Sequence, residues 1–259
     1  LAKAYVTGGI KEPAHEVLEQ NDLRPPIGHH GLPTWLDDFP QVFEEGFPSY
    51  SERFAPCPLH LGLYPVVDSV EWIERLVNQG VKTIQLRIKD KSDPKLFDKI
   101  KAAVDFCEPK AVRLFIDDHY ELAIKAHAYG VHLGMEDLKT ADLKSIQKAG
   151  LRLGVSTHGA YEMLKAMQLQ PSYIALGHIF PTQSKKMPSK PQGVFKLALE
   201  QEIIQDLVPT VAIGGIKLHN VEDVLETGVG SVALITGITK ADDPDKETQV
   251  WLKYCTSGD

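Results

Sequence analysis

The segment Ile84-Gln85-Leu86-Arg87-Ile88-Lys89 alternates apolar and polar residues, the period at which successive side chains of an extended chain point to opposite faces. Gln85, Arg87 and Lys89 therefore share one side, and two cations with an amide suit a phosphate or pyrophosphate. Taken alone, the hexapeptide reads equally as a half-exposed antiparallel strand with a solvated cationic face. Further along lie Asp117-Asp118 and Glu136-Asp137. Carboxylates facing Arg87 and Lys89 could hold Mg²⁺ against a polyphosphate, because that ion takes a few carboxylates and completes its shell with phosphate oxygens and water. Each of these aspartates also makes a good helix N-cap, so only their joint position favours the metal.

Ser156-Thr157-His158 offers a hydroxyl that either caps the following helix, the stronger reading, or donates to a substrate. His158 is tempting as an acid or base, but the spacing supplies it with no orienting partner and it is assigned no role. The stretch 177–186 carries Thr182, Gln183, Ser184, Lys185 and Lys186 in one long loop. Hydroxyls and lysines leading off an apolar run through Phe180 and Pro181 are the composition of an active-site lid. Gly214, Gly215 and Gly237 follow apolar runs, where a missing Cβ lets backbone amides approach a phosphate. Two anion sites imply two phosphorylated substrates.

Some scaffold must bring these scattered residues together. Short apolar runs at 61–67, 82–88, 112–117, 130–133, 152–156, 172–177, 210–213 and 231–236 read as strands. Helical periodicity fills the intervals at 70–79, 93–106, 120–129, 141–149, 160–169, 195–206, 218–226 and 246–254, with Gly80, Gly130, Gly150 and Gly228 where helices should stop. Eight β/α pairs predict an α/β fold, a compact (β/α)8 TIM barrel with an N-terminal extension. Barrel sites lie at the C-terminal ends of strands and in the loops that follow, where most of the polar residues above fall. An open doubly wound sheet is the competing architecture, but it would place a GxGxxG turn after its first strand, and Val67-Asp68-Ser69 stands there instead.

The 259 residues are 43% hydrophobic and 24% charged, which describes a globular chain and not a disordered one. A formal net charge of -7 argues against a nucleic-acid partner and for small molecules. Cys57, Cys107 and Cys255 form no zinc or disulfide spacing, so a reducing cytoplasm is expected. No apolar run approaches the roughly 20 residues of a membrane span, and no membrane partner is expected. Eight of the 17 prolines fall between Asn21 and Pro65, a density that predicts a linker. The expected division is therefore 1–58, extension and linker, and 59–259, barrel.

Together these segments resemble thiamine-phosphate synthase, a family that joins the pyrimidine and thiazole halves of vitamin B1. The resemblance runs over about 61–239. It rests on QLRIK from Gln85, FIDD from Phe115, GVHLGMED from Gly130, GVSTH from Gly154, IALGHIFPTQSK from Ile174 and VAIGGI from Val211. It implies that Gln85, Arg87, Lys89, Asp117 and Lys185 bind the pyrimidine diphosphate, with Ser156 beside the pyrimidine, and that Leu86 and Ile88 between them are also substrate-binding. Asp118 and Asp137 would ligate Mg²⁺. Thr182, Gln183, Ser184, Gly215, Ile235 and Thr236 would receive the thiazole phosphate. Arg87, Lys89, Lys185 and Ser156 would be the catalytic set. Three positions depart from the family: Asp117 for Asn, Met135 for Gln and Ser184 for Thr. The first adds negative charge beside a pyrophosphate.

The implied chemistry needs cations more than a base: pyrophosphate leaves, and the pyrimidine methylene cation is captured by the thiazole nitrogen through its own lone pair. Two other functions stay open, a thiazole tautomerase of the same fold, with His158 or His178 as base, and a non-catalytic phosphate-ligand barrel. A second resemblance covers 2–10 and 26–33, similar to the closing helix and tail of hydroxymethylpyrimidine phosphate kinase. With Leu1 in an apparent helix, it suggests the end of a fused upstream kinase domain.

Overall fold

The computed structural model describes residues 47, 52–182, 189–204 and 206–255. Strands β1 (Gly62–Val67), β2 (Thr83–Leu86), β3 (Arg113–Asp117), β4 (Gly130–Leu133), β5 (Arg152–Thr157), β6 (Tyr173–Gly177), β7 (Thr210–Ile213) and β8 (Ser231–Leu234) alternate with helices. The helices are α1 (Val70–Asn78), α2 (Leu96–Cys107), α3 (Tyr120–Ala126), α4 (Leu143–Lys148), α5 (Ala160–Met167), α6 (Gly193–Ile204), α7 (Val221–Leu225) and α8 (Pro244–Tyr254). Each strand pairs in parallel with its neighbours, and β8 closes on β1 with Gly62 opposite Ser231. The expected TIM barrel is the observed fold, and the open sheet is excluded.

Alternation along each strand builds two cores. On β3, Leu114 and Ile116 join the layer between strands and helices, with Ile73, Leu76, Ile100 and Met163. Phe115 points the other way, into a barrel interior filled by Leu61, Tyr64, Tyr173, Ala175, Val211 and Ala233. The rings of Phe115 and Tyr173 meet edge to face at 5.0 Å. Glycines make room for them: a Cβ on Gly154 would stand 2.2 Å from the Tyr173 ring, and one on Gly130 2.5 Å from Phe115. Gly130 is thus part of β4 and not the helix stop expected of it. Helix α3 ends instead at His127, which takes the left-handed conformation at φ 59°.

Where element edges move, local hydrogen bonds explain the shift. A helix from residue 93 is expected, but Asp93 folds a turn, its side chain accepting from the Lys95 amide at 2.8 Å and its carbonyl from the Leu96 amide at 3.0 Å. Strand β2 stops at Leu86, although the Arg87 amide still reaches the Val67 carbonyl at 2.7 Å.

Part of the proline-rich linker belongs to the barrel. Phe54 is 1% exposed, and its amide donates to the Gln170 carbonyl. Ser172 Oγ donates to the Ala55 carbonyl at 2.6 Å, and Arg152 Nε to the Pro56 carbonyl. These anchors sit where β5 and β6 begin, at the end of the barrel opposite the mouth. No helix among the described residues is long and apolar enough to cross a membrane.

Candidate active site

The C-terminal strand ends surround a cavity of about 180 Å³. Of the expected residues, Gln85, Arg87, Asp117, Asp118, Asp137, Ser156, Thr182 and Ile235 line it together. The inward face of β2 supplies Gln85 and the position just past its end supplies Arg87, and both meet the Asp117 carboxylate at the end of β3. Gln85 Nε2 donates to Oδ1 at 2.6 Å, and Arg87 Nε to Oδ2 at 2.9 Å. This pairing holds one edge of the guanidinium and leaves its terminal amino groups free of Asp117.

Asp117 and Asp118 do not cap a helix, as either alone would suggest. Helix α3 begins after His119, which makes no capping side-chain bond. Asp118 adopts φ 62° at the strand end, a left-handed conformation that an aspartate tolerates better than most residues and that recurs at functional sites. Asp137 opens a short 3-10 turn (Asp137–Lys139) and accepts from the Gly134 amide at 3.2 Å.

Among the described residues, three carboxylates and one guanidinium line this cavity. The imbalance shows in their proton affinities. Burial, with the Asp118 charge next, raises Asp117 to about 7 against the pull of Arg87. Burial and then Asp137 raise Asp118 above the usual carboxylate range. Crowded carboxylates short of counter-charge suit a divalent cation that substrate oxygens would help to bind. Asp118 and Asp137, just past the ends of the adjacent strands β3 and β4, are a two-carboxylate donor set of the kind that fits an ion completed by substrate oxygens and water.

Ser156 corrects the capping expectation. The N-cap of α5 is Gly159, while Ser156 Oγ lies 2.7 Å from His132 Nε2. His132 Nδ1 is 2.7 Å from the Tyr173 hydroxyl, which is 2.8 Å from that of Tyr64. A polar chain thus runs from the mouth into the barrel core and fixes the Ser156 hydroxyl. His132 and Tyr173 carry no assignment from sequence; their signal was a polar residue on the inward face of an otherwise apolar strand. His158 also has an orienting partner after all: Glu162, four residues on, lies 3.0 Å from its Nδ1 and accepts from its amide at 2.8 Å. The bond to His158 holds Glu162 below the usual carboxylate range.

Other expected residues lie elsewhere. The Leu86 and Ile88 side chains belong to the layer under the helices, as strand alternation demands, so only their backbone could meet a substrate. Lys89 is exposed and outside the cavity wall. Gln183, Ser184 and Lys185 lie outside the described residues. Gly215 and Thr236 line a larger neighbouring cavity of about 1050 Å³ at the ends of β7 and β8, which shares Thr182, Gly214 and Ile235 with the first.

Residues 63–238 match the family described as thiamine monophosphate synthase. The chain belongs to the thiamine monophosphate synthase family. A thiamine-phosphate synthase of Citrobacter koseri is 56% identical over 210 residues, 81% of this chain and 99% of that relative. The thiamine-phosphate synthase of Salmonella typhimurium matches with the same identity and coverage. Among solved structures, a thiamine phosphate pyrophosphorylase from Pyrococcus furiosus superposes with a TM-score of 0.66 and 29% identity, covering 75% of this chain and 95% of that one. A 3-hexulose-6-phosphate synthase, 18% identical with a TM-score of 0.56, shares the fold alone. The family match runs from the second residue of β1 to beyond β8 and includes every residue that lines the first cavity.

Proposed function

We propose that this chain condenses the aminopyrimidine methyl diphosphate with the thiazole phosphate to give thiamine phosphate and pyrophosphate, with Mg²⁺ as its cofactor. The observation that carries this reading is the joint arrangement of Gln85, Arg87, Asp117, Asp118 and Asp137 around one cavity. Asp118 and Asp137 would hold the metal ion, which supplies positive charge against the diphosphate oxygens when bound. Arg87 addresses the same oxygens from the free side of its guanidinium. Lys89 and Lys185 would add the counter-charge that the carboxylate-rich wall lacks. Ser156, held by His132, orients the pyrimidine. Thr182, Gln183 and Ser184, with Gly215, Ile235 and Thr236, would receive the thiazole phosphate.

The reaction follows from that arrangement. The bond from the pyrimidine methylene carbon to the diphosphate oxygen breaks, and its electron pair leaves with pyrophosphate. Arg87, Lys89 and Lys185 stabilise the charge on the departing group, while the ring amino group stabilises the carbocation. The thiazole nitrogen then forms the new carbon–nitrogen bond with its own lone pair, so no base is needed and alignment of the two rings supplies much of the advantage.

His158 held by Glu162 is the one feature that favours the tautomerase reading, but proton transfer leaves the cluster of Arg87, Asp118 and Asp137 without a task. A non-catalytic barrel leaves it equally unexplained. The kinase-like segments at 2–10 and 26–33 lie outside the described residues, and we propose that 1–58 holds the tail of such a domain followed by a linker whose Phe54–Pro56 stretch rests on the barrel. Cys57, Cys107 and Cys255 are all unpaired, which supports a reducing, cytoplasmic setting. Isothermal titration tests the assignment: the pyrimidine diphosphate should bind with Mg²⁺ and not without it, and binding indifferent to the ion would refute the metal-assisted site.

A further inference from the structure

His178 follows β6 directly and is only 5% exposed, yet it lines the same cavity as Arg87, Asp118 and Ser156. Its backbone is fixed on both sides. The His178 carbonyl accepts from the Gln192 amide at 2.9 Å, and the next amide, that of Ile179, donates to the Ile213 carbonyl at 3.0 Å. Gly214 forms its seat, since a Cβ there would stand 2.4 Å from the Cβ of His178. The imidazole Nδ1 is closed off from water and has no hydrogen-bond partner.

A buried N–H without an acceptor is rarer and costlier than a bare acceptor nitrogen. The proton therefore belongs on Nε2 of a neutral ring, which leaves that nitrogen as the one able to address the cavity. Burial, and secondarily His158, lowers the ring's affinity for a further proton. A neutral ring suits the place, because an imidazolium there would oppose a developing carbocation.

We propose that His178 is an acceptor-binding residue, its Nε2–H donating to a phosphate oxygen of the thiazole phosphate. The inference rests on the synthase reading and deepens it. In the barrel order, β6 and β7 face the strands that carry Arg87 and Asp117. On that side His178 packs against Gly214, which with Thr182, Ile213, Ala233 and Ile235 lines both this cavity and the β7–β8 cavity. A donor directed at the thiazole nitrogen would occupy the lone pair that must capture the cation. Of the thiazole substrate's own acceptors, the phosphate oxygens are those left for this donor.

Steady-state kinetics of His178→Leu and His178→Gln test this, with circular dichroism to verify folding. Loss of one hydrogen bond to a charged acceptor should raise the KM for thiazole phosphate about ten- to a hundredfold in His178→Leu. The KM for the pyrimidine diphosphate should stay within about twofold, and His178→Gln, which keeps a donor near the Nε2 position, should recover most of the loss. The dephosphorylated thiazole alcohol should respond little to the leucine substitution. An equal loss on both substrates, an equal loss with the alcohol, or no loss at all would overturn the assignment; should His178→Leu not fold, His178→Phe carries the same comparison. Absence of pyrophosphate release by the unsubstituted chain with both substrates would instead remove the synthase reading itself.

Discussion

Asp117 is the residue that ties the β2 and β3 sides of the mouth together. Its carboxylate takes up Gln85 and Arg87, two of the groups proposed to hold a diphosphate. A neutral amide would keep the Arg87 bond and meet Gln85 after rotation of that amide, while removing an anion from the diphosphate's surroundings. Asp117→Asn is expected to tighten pyrimidine diphosphate binding by about three- to tenfold, the scale of one partly screened like-charge contact, measurable by calorimetry. Unchanged or weaker binding would mean that Asp117 is not adjacent to the diphosphate. Lys185→Ala should lower turnover on the order of a hundredfold, the cost of deleting a preorganised charge-stabilising group; near-normal turnover would take Lys185 out of the mechanism. The Gln85 and Arg87 placement was legible because strand alternation alone dictates it. The His132–Ser156 and His132–Tyr173 contacts were not, because they join β4 to β5 and β6, and linear spacing does not reveal which inward side chains meet. His158 and Glu162 are a different case: their four-residue separation is helical spacing and lay open in the sequence.

Elements carry the energetics that hold those residues still. Gly154 on β5 lies under the Tyr173 ring, and Tyr173 in turn binds His132. Gly154→Ala must push that ring aside, so it is expected to cost about 1–3 kcal/mol by overpacking, read as a lowered midpoint in urea. It should also loosen Ser156 and reduce turnover; full stability with full activity would contradict the packing described. Helix α6 carries a second liability. Glu200 is 3% exposed, one of its carboxylate oxygens has no partner, and burial raises it from 4.5 to about 7 despite the opposing charge of Lys196. Between those two values the unfolded chain has released a proton that the folded chain retains, so stability falls as pH rises through this window and stays reduced above it. Glu200→Met, similar in shape and without the charge, should therefore stabilise the fold by about 1–3 kcal/mol at pH 8. The gain should shrink towards pH 4.5, and a gain that does not vary with pH would refute the role of ionisation. Short apolar runs made the eight strands legible, and the segments between them the helices among the described residues. Their edges were less so, as at Leu96 and His127, because side-chain turns and left-handed caps, not periodicity, decide where a helix starts and stops.

At the scale of the whole molecule, barrel closure converts segments far apart in sequence into one mouth, with β2 to β4 facing β6 and β7 across it. The linker anchors at Phe54, Ala55 and Pro56 lie at the opposite end, so this stretch supports the barrel without entering the site. That packing was hidden in a proline-rich composition that otherwise reads as a spacer. The β/α count made the mouth's location readable in advance; its excess of carboxylate over guanidinium emerges only once the strand ends converge. That excess is why added cations are central to the account. The most direct test is to supply both substrates and follow pyrophosphate and thiamine phosphate with and without Mg²⁺. Equal amounts of the two products, formed only in the presence of the ion, are predicted; coupled product formation at the same rate after complete removal of the metal would contradict it.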